Sequence, residues 1–332
     1  MTGWGLKVSF WAALGVPAGL LASAILGAQP PSGPLGQVNA ALQAGEADSA
    51  LLQLGSLPAP IAGSAEAANM ECRVRITLEQ WDAASGKCEQ AVKLDPQNSV
   101  YHVWLGRTLG ERASRASFMN AYSLAKRVRA EFEEAVRLNP RNVDALEDLG
   151  QFYQEAPGVI GGGADKAEAV AVQLEKLDMA KAHELRARIA GGHKDYTTAE
   201  IELRQAIQAS PRPAQQWVAL AGFYCDRQRW SEMLSAVHSA TSAAERDKHS
   251  AVALFDGASV LIKANREPAM AARMLEAYLV SPFKSEEAPA FVAHLRLAKL
   301  KQQLGDSAAA SREQSAAQAL ARDYKESQEP KH

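Results

Sequence analysis

Aromatic residues are only 6% of this 332-residue chain, and valine, isoleucine and threonine seldom alternate with polar residues over strand-length windows. Without that period-two pattern a sandwich or barrel is excluded as the organising fold, and helix is the expected state. An excess of one charge is also missing, since 36 basic and 38 acidic residues are interspersed for a net charge of −2. No basic face marks a nucleic-acid binder, so nucleic acid is not an expected partner. The three cysteines form no Cys-x-x-Cys pair. None of the seven histidines (His102, His183, His193, His238, His249, His294, His332) has the i, i+4 spacing around a glutamate that holds zinc on a helix. No metal site is expected. A Gly-x-Ser-x-Gly elbow is absent too. The expectation is therefore a non-enzyme with no catalytic residues and no cofactor.

What is abundant is alanine within a 47% apolar composition, enough for a large helical core. The first 28 residues stand apart. Lys7 precedes an apolar run from Val8 through Leu26, and Gln29-Pro30-Pro31-Ser32-Gly33-Pro34 follows as a linker. This is the layout of a secretory signal or an uncleaved N-terminal anchor. Ala22-Ser23-Ala24 and Gly27-Ala28 offer small-residue cleavage sites, and no cysteine follows the run for a lipid anchor. Gly15, Pro17 and Gly19 interrupt a stretch close to the roughly 20 residues that span a bilayer. With either of these the rest of the chain is exported, to a bacterial periplasm or to the periplasmic side of the inner membrane; a misassigned start or a buried helix is the third reading. Membrane contact is then expected only through this segment, if it is uncleaved.

Internal repetition organises the remainder. Gln80-Trp81-Asp82-Ala83-Ala84 leads to Ala91-Val92-Lys93-Leu94-Asp95-Pro96, and the ending returns as Ala135-Val136-Arg137-Leu138-Asn139-Pro140 and, more loosely, Ala206-Ile207-Gln208-Ala209-Ser210-Pro211. Downstream of the three blocks, in turn, lie Trp104-Leu105-Gly106, Asp148-Leu149-Gly150-Gln151-Phe152-Tyr153 and Trp217-Val218-Ala219-Leu220-Ala221. These segments resemble the second and first helices of the tetratricopeptide repeat (TPR). In that family a small residue fills the eighth position, where the helices of a hairpin approach closest, and here Cys72, Gly106, Gly150, Ala187, Ala221, Ala258 and Ala298 occupy it. In the third of these units either Ala167 or Ala169 could fill the contact position on the second helix. Prolines 96, 140, 211 and 282 fall between units, where they end helices without breaking them.

The resemblance implies an all-α, right-handed superhelical solenoid of antiparallel hairpins, seven to eight repeats long. The array spans 35–321, with units near 35–60 (degenerate), 65–96, 98–140, 142–178, 179–211, 214–246, 250–282 and 287–321, before a polar tail at 322–332. It also implies a protein-binding scaffold of the cell envelope, whose concave groove takes a partner protein or peptide. The family's second, fifth, ninth and twelfth positions name Val103, Arg107, Asp144, Glu147, Gln151, Gln154, Glu184 and Arg188 as groove residues. The Lys and Asn pattern that clamps a terminal carboxylate in some members is absent. The same register faces Cys72 toward Cys88, as a disulfide or as two buried thiols, and leaves Cys225 over.

Other readings attach to particular stretches. Self-association through one end of the array, in envelope assembly or secretion, is the alternative. Gly158-Val159-Ile160-Gly161-Gly162-Gly163 could turn backbone N–H groups on an anion or support an enzyme, although it follows no strand and lacks a Lys-Ser/Thr ending. An insertion near Arg112 to Asn120 carries a small basic patch.

Overall fold

The computed structural model describes residues 33–324, which form seventeen α-helices and no strand. The apolar run at 8–26, its cleavage sites and most of the polar tail lie outside the described residues. Among those described, no helix is long and apolar enough to cross a membrane.

The helices pair as eight hairpins. The first is α1 (Pro34–Ala44) with α2 (Ala47–Gly55), followed by the single turn α3 (Ala59–Ala62). The second joins α4 (Ala65–Thr77) to α5 (Trp81–Leu94), the third α6 (Ser99–Arg115) to α7 (Phe118–Leu138), and the fourth α8 (Val143–Glu155) to α9 (Ala164–Glu175). Then come α10 (Met179–Gly192) with α11 (Tyr196–Ala209), and α12 (Ala214–Asp226) with α13 (Trp230–Arg246). The last two pairs are α14 (Val252–Lys263) with α15 (Pro268–Val280), and α16 (Ala290–Gln303) with α17 (Ser307–Leu320).

Local chemistry repeats with the hairpins. Six of them turn through a left-handed residue, Gly45, Glu79, Lys194, Gln228, Asn265 or Gly305, with Glu267 a second one in the turn that holds Asn265. The next residue's N–H then reaches back five positions, as Gln80 to Arg75, Asp195 to Ala190, Arg229 to Tyr224 and Asp306 to Lys301. That pairing satisfies carbonyls the first helix would otherwise leave open and fixes the reversal. Side chains of Ser64, Asn142, Asp178, Asp195 and Asp306 cap helix starts by accepting a backbone N–H. The two exceptions to the tight turn are the third and fourth hairpins. In one, the extra residues near Arg112–Asn120 lengthen α6 and α7 themselves. In the other, the Gly158–Gly163 stretch makes a 3-10 turn and a loop.

Small residues sit where helices meet. A Cβ on Gly106 would run into the Phe132 ring, and one on Gly150 into Leu185. Cys72, Ala221 and Ala258 at the equivalent position are fully buried, while Ala298 is half-buried and its neighbour Leu297 takes the core place. In α9 it is Ala167 that is fully buried, with Val170, Ala171 and Leu174, so the open register resolves there. First helices touch their successors, α4 to α6, α6 to α8, α8 to α10 and α12 to α14, which makes them an inner layer. The core thus runs along the stack, each hairpin burying its apolar stripes on its neighbours.

The array also closes on itself. One apolar cluster includes Val38, Leu42 and Val74 from the beginning and Phe291, Leu297 and Ala321 from the end. Around it Arg73 forms a two-pronged ion pair with Glu286, Nε to Oε2 at 2.9 Å and Nη2 to Oε1 at 2.5 Å. Gln43 donates to the same carboxylate at 3.0 Å. The first residues of the tail join this contact. The Arg322 N–H donates to Asp48, and Tyr324 packs on Phe291 and donates to Glu79. At the seam Gly45 has φ +77°, and a Cβ there would overlap the backbone nitrogen of Ala290. Gly45→Ala therefore meets both a left-handed backbone and a main-chain clash, at a cost above about 1 kcal/mol. Hydrogen exchange should accelerate in α1, α2, α16 and α17 and stay unchanged in α6 to α10.

Candidate partner-binding surface

The inner helices carry polar residues that stacking does not require. Arg107 on α6 donates from Nε to Asp148 Oδ2 at 2.6 Å and stands 3.8 Å from Glu287, which comes from the segment before α16. Its guanidinium also lies over Trp104, as does that of Arg73, with centroid distances of 4.9 and 5.3 Å. One hairpin on, Lys181 bridges Glu147 at 3.1 Å and Glu184 at 3.2 Å. Gln216 donates to the other oxygen of Glu184, and Gln215 to Asp256. The chain of contacts therefore crosses five inner helices.

Burial sets the electrostatics. Desolvation raises Asp148 to about 6, Asp256 to about 7 and Glu287 to about 8, against the attraction of Arg107 in the first and third and of Arg296 in the second. Asp144 is raised for the same reason. Burial would lower Arg107 and Lys181, but the carboxylates around each outweigh it and hold both firmly cationic. A buried ion pair gains little over an apolar pair, but losing one partner strands a charge out of water.

The expected groove residues divide on this geometry. Arg107, Asp144, Glu147 and Glu184 belong to the inner cluster. Gln151 donates to Glu155 along α8, and Gln154 and Arg188 are half-buried nearby. Val103 is a correction: it is only 2% exposed and packs with Ala135 and Ala145 between hairpins, so it offers a partner no surface. Lys181 and Gln215, both at the second position, and Arg73 at the ninth fit the register used to choose the others and were missed. Glu286 and Glu287 gave no local signal, because only closure of the array brings them inward.

The histidines are less scattered than they look. His102, His183 and His294 each lie four residues before an eighth position, and each bonds through Nδ1 to a glutamate on the second helix of its own hairpin. Their partners are Glu131 (2.6 Å), Glu202 (2.7 Å) and Glu313 (2.6 Å). They are repeated hairpin staples.

Two other stretches are engaged internally. The N–H groups of Gly161, Gly162 and Gly163 donate to Gly158, Pro157 and Tyr153 carbonyls, so they do not converge outward on an anion. Arg129 supports the loop by donating to the Ile160 carbonyl. In the basic patch, Arg112 pairs with Asp82 and donates to Ser85, and Arg115 pairs with Glu111 and stacks on Trp81.

Cys72 and Cys88 are joined as a disulfide across their hairpin, with Cα atoms 5.2 Å apart, and Cys225 is free and buried. Produced in an oxidising compartment and unfolded without reductant, the chain should show one titratable thiol, and three after reduction. Removing a cross-link around a loop of this length costs about 3 kcal/mol.

No family model matches the chain, and no curated protein matches it. Among solved structures it is similar to a thermophilic TPR protein of Thermus thermophilus. The likeness is one of fold. It covers 57% of this chain and 96% of that one at 20% identity, with a TM-score of 0.47.

Proposed function

We propose that this chain is a protein-interaction scaffold of the cell envelope whose inner face receives a segment of a partner protein. The observation that carries this reading is a row of buried polar atoms left without partners. Asn69 Oδ1, Arg107 Nη2, Glu147 Oε2, Gln215 Oε1 and Gln216 Oε1 lie on α4, α6, α8 and α12, five of nine such atoms among the described residues. Each would cost about 1–3 kcal/mol if nothing met it. Each has almost no accessible surface in the closed array, so the main chain of an extended peptide meets them when the inner helices part to admit it. Inner helices packed about 8–10 Å apart match roughly three residues of extended chain, which gives one anchoring contact per helix. The segment carrying Glu286 and Glu287 shows the inner face gripping a stretch of polypeptide within this chain.

Export is supported by the leader-like first 28 residues and by the Cys72–Cys88 pairing, which an oxidising compartment sustains. The experiment is affinity capture from envelope extract with the full chain, beside Arg188→Glu, which alters the half-buried end of the face and spares the ion pairs. A reproducible protein partner, reduced about tenfold or more by the variant, is the expected result. Failure of the native chain to retain any protein would refute the scaffold.

A further inference from the structure

A cavity opens between the beginning of α11 and the end of α12. About 430 Å³ in volume, it is lined by Tyr196, Ile201, Phe223 and three arginines, Arg204, Arg227 and Arg229, with Glu200 the one carboxylate. Two of the arginines are committed. Arg204 and Arg229 both donate to Glu200, which also accepts from the Tyr224 hydroxyl at 2.7 Å. Those bonds outweigh the effect of burial and hold Glu200 down at about 2, so its charge is spent on its neighbours.

Arg227 is different. Its guanidinium carbon is 4.0 Å from the centroid of the Tyr196 ring and 3.8 Å from that of Phe223. One Nη1 hydrogen goes to the Phe223 carbonyl, while Nε is out of water and unpaired. Among the described residues no carboxylate forms an ion pair with it, and the adjacent Asp226 pairs with Lys263 at 2.8 Å. A partly dehydrated cation with no carboxylate in ion-pair contact is held at a cost that an incoming anion relieves. Tyr196 and Ile201, 44% and 50% exposed, add apolar surface beside it.

We propose that this cavity binds an acidic peptide segment of a partner protein, a side-chain carboxylate meeting Arg227 and a neighbouring apolar residue covering Ile201 and Tyr196. This deepens the scaffold reading and rests on it. A planar carboxylate matches guanidinium geometry, and the apolar wall favours a peptide over a bare anion.

The test is fluorescence anisotropy on the full chain with a labelled peptide of alternating glutamate and leucine. A lysine–leucine counterpart serves as the control and inorganic phosphate as competitor. Saturable binding of the glutamate peptide only, weakened about tenfold or more by Arg227→Gln and unchanged by Arg312→Glu at an exposed position of α17, is the expected result. Ile201→Asp, at an exposed position, should weaken it similarly, and keeps the test open if Arg227→Gln does not fold. Equal binding by the native chain and a folded cavity variant would overturn the site. So would equal binding of both peptides, or displacement by phosphate at the peptide's own concentration. A partner captured from extract equally by Arg227→Gln and the native chain would remove this site and leave the scaffold standing. Capture of nothing by the native chain would remove the scaffold itself.

Discussion

Replacing Arg107 with methionine should cost the array about 3–5 kcal/mol, the range expected when one member of a buried ion pair is deleted. The substitution keeps apolar bulk against Trp104 but strands Asp148, whose side chain is 6% exposed, and removes the nearest cation from Glu287. Urea unfolding checks the size. The loss should shrink at low pH, because Asp148 and Glu287 can then hold protons. Pairing it with Asp148→Leu should recover much of the loss, since the stranded charge is gone. A loss below about 1 kcal/mol at pH 8 would mean that the inner charges are solvated and that the face is not sealed by them.

Stability should fall as pH rises from about 5 to 8, which is the second large effect. Glu287 moves from 4.5 to about 8 on folding, Asp256 from 3.8 to about 7 and Asp148 from 3.8 to about 6. In each window the folded chain binds a proton that the unfolded chain has released. The contribution is fully present below the unfolded pKa and is lost as pH passes the folded value. His102 adds in the same direction, since its bonds to Glu131 and the Pro96 carbonyl outweigh burial and raise it. Glu200 sets the opposite limit, because its lowered pKa is a contribution lost as pH drops from about 4.5 toward 2. The urea midpoint should therefore peak near pH 5. Glu287→Gln should flatten the alkaline slope and stabilise the chain at pH 8, whereas an unaltered slope would show that this carboxyl is ionised in the fold.

The hairpins were legible in the sequence because their signals are local. Gly106 and Gly150 mark close approaches, Pro96, Pro140, Pro211 and Pro282 mark ends, and alanine spacing marks the second helices. The left-handed turn was harder to see, since Glu79, Lys194 and Gln228 stand where glycine would have announced it. The register also named four members of the inner cluster, Arg107, Asp144, Glu147 and Glu184, and applied evenly it would have included Lys181, Gln215 and Arg73. Val103 shows its limit: at the fifth position it packs into the stack on Ala135 and Ala145, whereas Glu147 and Glu184 at the same position join the inner cluster. Closure of the array was beyond sequence reading. Arg73 and Glu286 are 213 residues apart, and no repeat pattern says that the first hairpin packs on the last.

That closure brings Glu286 and Glu287 onto Arg73 and Arg107 of the inner helices. Spin labels at Leu52→Cys on α2 and Ser311→Cys on α17, in a Cys225→Ala background, measure it directly, since both native residues are exposed and their helices touch. A single narrow distribution at the short end of the measurable range is the result a closed array gives. A broad distribution at long distances would mean an open superhelix, and would contradict both the sealed inner face and the buried pairing of Arg107 with Glu287.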